Sequence, residues 1–212
     1  MTNREITKEE LIAELDRWLR GHIDDTGKVD GHDSGGALTD IRKALKGGPD
    51  LAIFILGSCF IDAMASFYYG VTKEMLNEES KADADTEKLR TDYPGYKGAS
   101  NRFVGFIKKY LPTIYLCGKG QDFFSSSRCG LIHSYVERDA KYAFISGRND
   151  CHGKKTIGGQ IIINRETFVD DLENVYKKFI NDIRCDNELF VRAKRRYDSL
   201  KLMKCPVADI VC

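Results

Sequence analysis

The sequence predicts a mainly α-helical fold with a small β-hairpin inserted before its C-terminal helices. Apolar residues recur at helical spacing over most of the chain, and the helix starts carry capping residues. Only two short runs, "KYAFIS" (141–146) and "GGQIIIN" (158–164), have the β-branched and aromatic character of strands. With 212 residues, 42% of them hydrophobic and 31% charged, the composition is that of one globular domain with a proper core and not of a disordered chain.

The elements follow in order. Thr7 followed by Glu10 makes a capping box, and Leu11, Ile12, Leu15, Trp18 and Leu19 line one face of a helix that should end near Gly21. Residues 21–50 are rich in Gly and Asp and read as a loop around one short helix, "ALTDIRKAL", stopped by Gly47, Gly48 and Pro49. The loop lacks the ligand order of a calcium site.

The next helix, about 50–69, is apolar nearly all round, as expected of a central element packed on several sides. A polar line of Ser58, Asp62 and Ser66 interrupts it at intervals of four. Its length suits a membrane span, but a central Asp costs about 2.5–3.5 kcal/mol on insertion scales, so a buried core helix is expected and no membrane association.

Residues 72–100 read as an exposed connection. "NRFVGFIKKYL" predicts a helix broken by Pro112, and a further helix is expected over about 119–136. The hairpin spans about 141–164. After it, Asn164 caps a helix whose stripe is Phe168, Leu172, Val175, Phe179 and Ile180, and "NELFVRAKRRYDSLKL" forms the last of the C-terminal helices, about 165–203.

The charges nearly cancel, 33 Lys and Arg against 32 Asp and Glu, so nucleic acid would have to be held by a local patch. The segment 184–204 carries a surplus of four positive charges, with Arg192, Lys194, Arg195 and Arg196 as candidate RNA contacts. The same run also fits the solvated face of a terminal helix. A charged N-terminus without an apolar leader makes a cytoplasmic chain the expectation, and seven scattered cysteines without a C-x-x-C pair read as free thiols.

Chemistry concentrates in "SRCGLIHSY". Arg128 and His133 are five positions apart, about 140° around a helix, yet Arg is long and Gly130 between them admits a ligand closely. Histidine moves protons near neutral pH, and a guanidinium binds phosphate oxygens in a fixed fork. The pair suits cleavage of RNA by its own 2′-hydroxyl, which requires proton transfer and stabilisation of a negatively charged transition state, with no metal or cofactor.

"RCGLIH" fits the R-x4–6-H motif, and together with "CFIDAMASFYYG" and "FVGFIKKYLP" it resembles the HEPN superfamily across about residues 50–136. That resemblance implies a helical bundle, a homodimer pairing two motif helices, and metal-independent RNA cleavage in defence, toxin or stress systems, where an antitoxin or other protein is a further partner. Carried over, Arg128 and His133 are the catalytic positions, with Asp62 and Ser134 supporting them. The position after the arginine, usually polar in the family, is Cys129 here.

Two other arrangements fit the same residues. Arg128 paired to Asp62, with His133 at an interface, would be structural, and the chain would then be a non-catalytic dimeric interaction protein. Cys129 and His133, four apart, would share a face as metal ligands with Cys151 and His152, although no zinc spacing is present.

Overall fold

A computed structural model describes residues 5–21, 35–47, 50–72, 74–75, 98–116, 123 and 141–201. Helix α1, Lys8–Leu15, starts on the expected box: the Glu10 amide donates to Thr7 Oγ1 at 3.2 Å and the Thr7 amide to Glu10 Oε2 at 2.8 Å. It runs into a π turn, Asp16–Arg20, and stops at Gly21, whose φ of 73° lies in the left-handed region that glycine tolerates. Helix α2, Ala37–Gly47, follows, and then the central helix α3, Asp50–Tyr69.

α3 packs against α2, against α4 (Ala99–Tyr110), against strand β1 (Tyr142–Ile145), and against the two closing helices α5 (Arg165–Cys185) and α6 (Asn187–Lys201). Phe54, Phe60, Ile61, Met64 and Phe67 are buried from it. By length and mean hydropathy, 1.8, α3 passes as a membrane span; within this fold half of that window is buried and the helix forms the core. α3 and α5 approach closely at Gly57, where a Cβ would stand 2.4 Å from Phe168 Cε1 of α5. Phe168 itself stacks on Phe54, with ring centroids 5.4 Å apart.

The late strands form where expected, but they do not make the predicted hairpin. β1 pairs in parallel with β2, Ile161–Asn164, in the register Tyr142 to Ile161 and Ile145 to Asn164. The intervening chain supplies the crossover that parallel pairing needs. It holds a 3-10 turn, Asn149–Cys151, and then folds back on itself, with Lys155 bridging antiparallel to Ile161 and the Ile162 amide bonded to Lys154 O at 2.8 Å. β2 therefore lies between β1 and a short return segment. Asn164, the last residue of β2, caps α5 through its side chain, which accepts from the Thr167 amide at 2.9 Å. The expected stripe of α5 is buried, and Arg42 of α2 reaches Glu173 while Arg165 pairs with Asp50 at the start of α3.

Candidate functional site

Arg128, His133 and Ser134 lie outside the described residues, as does the helix expected over 119–136 apart from Phe123. Phe123, which precedes the motif, is fully buried among Phe103, Tyr115, Tyr142 and Phe168. Asp62 is half-buried on α3. Its neighbours Ser58 and Ser66 turn back on their own helix, donating to Phe54 O and Ala63 O at 2.8 and 2.7 Å.

The carboxylate of Asp62 acts on Arg196 of α6. Burial and the neighbouring Arg102, itself only 4% exposed, lower the Arg196 pKa from the usual guanidinium value, and Asp62 opposes them. Three charged side chains from α3, α4 and α6 thus share one electrostatic neighbourhood. Tyr69 belongs to it as well: burial raises its pKa, and Arg192 and Arg102 pull the other way.

The end of α3 explains where the basic run of α6 goes. α3 stops in a Schellman arrangement, with the Val71 amide on Ser66 O at 2.9 Å, the Gly70 amide on Phe67 O at 3.1 Å, and Gly70 at φ 62°. The remaining carbonyls are taken by arginines. Arg192 Nε donates to Tyr68 O at 2.9 Å, Arg195 to Gly70 O and Tyr69 O at 2.8 and 3.1 Å, and Arg196 Nη1 to Val71 O at 3.2 Å. Cations at a helix C-terminus also complement its dipole. Lys194 pairs with Asp198 at 2.9 Å on the same helix. Gly70 is needed here, because a Cβ would come within 2.7 Å of Arg192 O and 2.9 Å of the Arg195 guanidinium.

A second polar constellation was not foreseen. Tyr115, in a 3-10 turn (Thr113–Leu116), donates to Asp171 Oδ2 of α5 at 2.8 Å, and His152 Nε2 stands 3.5 Å from both groups. The Asn164 amide donates to His152 Nδ1 at 3.1 Å, which leaves Nε2 to carry the proton of the neutral ring. Burial, reinforced by Asp171, holds Tyr115 well above the ordinary phenol value, so it is a fixed donor. The trio ties the 3-10 turn after β1 to α5, and its nitrogen facing Asn164 is not free for a metal. Among the described residues no group of three or more His, Cys, Asp or Glu side chains could hold a metal ion. The only advance signal for this trio was a lone histidine beside an apolar strand.

These features define a mainly helical protein whose core helix is closed at its C-terminal end by the arginines of the last described helix. No protein-family model, curated protein or solved structure matches the chain.

Proposed function

We propose that the chain is a HEPN-like RNA-directed protein of the cytoplasm, a metal-independent endoribonuclease or an RNA- or nucleotide-binding relative, working in a defence, toxin or stress system. The observation that carries this reading is the Arg128-x4-His133 motif, set in a mainly helical chain behind an apolar helix with Asp62 at its midpoint. In this mechanism His133 accepts the proton of a ribose 2′-hydroxyl as its oxygen bonds to the adjacent phosphorus. The bond from phosphorus to the 5′-oxygen then breaks to leave a 2′,3′-cyclic phosphate, the 5′-oxygen takes its proton from water, and Arg128 stabilises the charge on the pentacoordinate phosphorus. Asp62 and Ser134 support the pair.

The protein acts as a two-fold homodimer with the motif helices at the interface, since a symmetric contact opposes the same patch on each subunit and brings two arginines to one cleft. Purified protein incubated with mixed RNA in EDTA should cleave it, and His133→Ala or Arg128→Ala should lower the rate by about 10²–10⁴. Wild type and both variants leaving the RNA equally intact would sink the nuclease. Light scattering should give a dimer, reduced to a folded monomer by Gly130→Trp.

A second reading, a non-catalytic dimeric interaction protein in which Arg128 and His133 are structural, draws on a different observation. Arg192, Arg195 and Arg196 already spend hydrogen bonds on α3 carbonyls, so they are poorly placed to track an RNA backbone. Intact RNA together with a dimer that depends on residue 130 would favour it.

A further inference from the structure

The π turn Asp16–Arg20 faces the second half of α5 across a cleft of about 180 Å³ lined by Asp16, Arg20, Tyr176, Lys177, Ile180 and Arg184. π turns recur at functional sites because the extra residue re-aims side chains. Three of the six lining groups are cations and one is a carboxylate. That carboxylate, Asp16, is already engaged, accepting a hydrogen bond from the Tyr176 hydroxyl.

The two arginines are short of partners. Among the described residues neither Arg20 nor Arg184 forms a side-chain ion pair, and the buried Arg20 Nε finds no hydrogen-bond partner. Both line the same cleft as Tyr176 and act electrostatically on its hydroxyl. Lys177 is held at 3.0 Å by Glu173, but its side chain is 60% exposed and remains able to swing. Gathering like charges costs free energy unless an anion compensates them, and a buried guanidinium nitrogen left without an acceptor adds to that cost.

We propose that this cleft is a binding site for a phosphomonoester. A doubly charged phosphate matches two guanidinium forks and an ammonium in charge and in acceptor number. The volume takes a phosphate group, counting about 30 Å³ for a water-sized occupant, but not a whole nucleotide. The rest of the molecule has somewhere to go: Lys177 also borders a wider cleft of about 420 Å³ that runs past Lys178 and Asn174. These lining residues lie outside the Arg128–His133 motif in sequence, and binding here does not depend on its chemistry.

Calorimetric titration of the full chain tests this. The probes are inorganic phosphate, uridine 5′-monophosphate, and one oligoribonucleotide with either a 5′-phosphate or a 5′-hydroxyl, all in EDTA. Wild type should bind inorganic phosphate and the monophosphate saturably, and Arg184→Gln or Arg20→Gln should each weaken binding by about tenfold. Tighter binding of the phosphorylated oligonucleotide than of its hydroxyl form and of the free nucleotide would assign the site to RNA ends; equal affinity for the free nucleotide would assign it to small molecules. If Arg20→Gln fails to fold, Lys177→Gln, at an exposed position, serves in its place. Absence of saturable phosphate binding, or affinities unchanged by every one of these substitutions, would overturn the assignment.

Discussion

Replacing Gly57 by alanine sets two opposed effects against each other in the middle of the core helix. Helix propensity favours alanine over glycine by about 1 kcal/mol in a helix interior. The new methyl would stand 2.4 Å from Phe168 Cε1, 2.7 Å from Phe168 Cζ and 3.0 Å from Leu172 Cδ1. Carbon atoms pack at about 3.5–4.0 Å, so α3 and α5 would have to separate or Phe168 would have to turn. Phe168 has little room to turn, being fully buried with Phe54, Tyr115 and Phe123 around it. Overpacking of this kind costs about 1–3 kcal/mol, more than the propensity returns, and the expected net destabilisation is about 1 kcal/mol or somewhat above. For a chain of this size that lowers Tm by roughly 2–4 °C. Gly47→Ala, at the end of α2 with nothing within 4 Å of the added carbon, is the control and should be neutral or stabilising. Thermal and urea unfolding of both variants measures the difference. A Gly57→Ala protein at least as stable as wild type would refute the close α3–α5 packing.

Substitutions at two further positions probe the helix ends. Arg195→Met removes the donors to Gly70 O and Tyr69 O and should destabilise by about 1–2 kcal/mol, with faster amide exchange in the last turn of α3; Arg195→Lys should recover only part, since an ammonium lacks the fork. Asp186 caps α6, accepting from the Glu188 and Leu189 amides at 2.8 and 3.1 Å, and the Leu189 bond is the main cause that lowers its pKa. A carboxyl with a depressed folded pKa adds stability above its unfolded value, and that stability is lost as pH falls through the folded one. The advantage of wild type over Asp186→Asn in urea titrations should therefore be flat near neutrality and shrink below about pH 4, where free aspartate titrates; an advantage that grows on acidification would contradict the cap.

Local grammar was legible in the sequence wherever both partners sit within a turn of each other. Thr7 with Glu10, and Asn164 ahead of the Phe168 stripe, announce their helices because a cap and its amide are three residues apart. The apolar run of α3 announced a central helix for the same reason. Strand pairing was not legible. β1 and β2 have the composition of a hairpin, and the parallel register depends on how residues 146–160 double back, which no single residue type encodes. The partners of the basic run of α6 were not legible either, because they are backbone carbonyls more than a hundred positions upstream, and carbonyls carry no sequence signature. The Tyr115–His152–Asp171 trio draws on three separate elements, so only folding brings it together. Of the candidate site, Asp62 on its helix was legible, while its electrostatic tie to Arg196 was not.

The arginine closure of α3 also bears on the order in which the chain can become itself during synthesis. A ribosome delivers the middle of this protein long before residues 192–196, so the carbonyls of Tyr68, Tyr69, Gly70 and Val71 must wait for their donors while more than a hundred further residues emerge. Until then the most apolar helix has a frayed end, and its flank toward α6 is uncovered. Contacts this distant in sequence slow folding and prolong the exposure of apolar surface. A nascent chain arrested before α6 should therefore bind chaperones and yield to proteases near residue 70, whereas release of the full chain should protect that point at once.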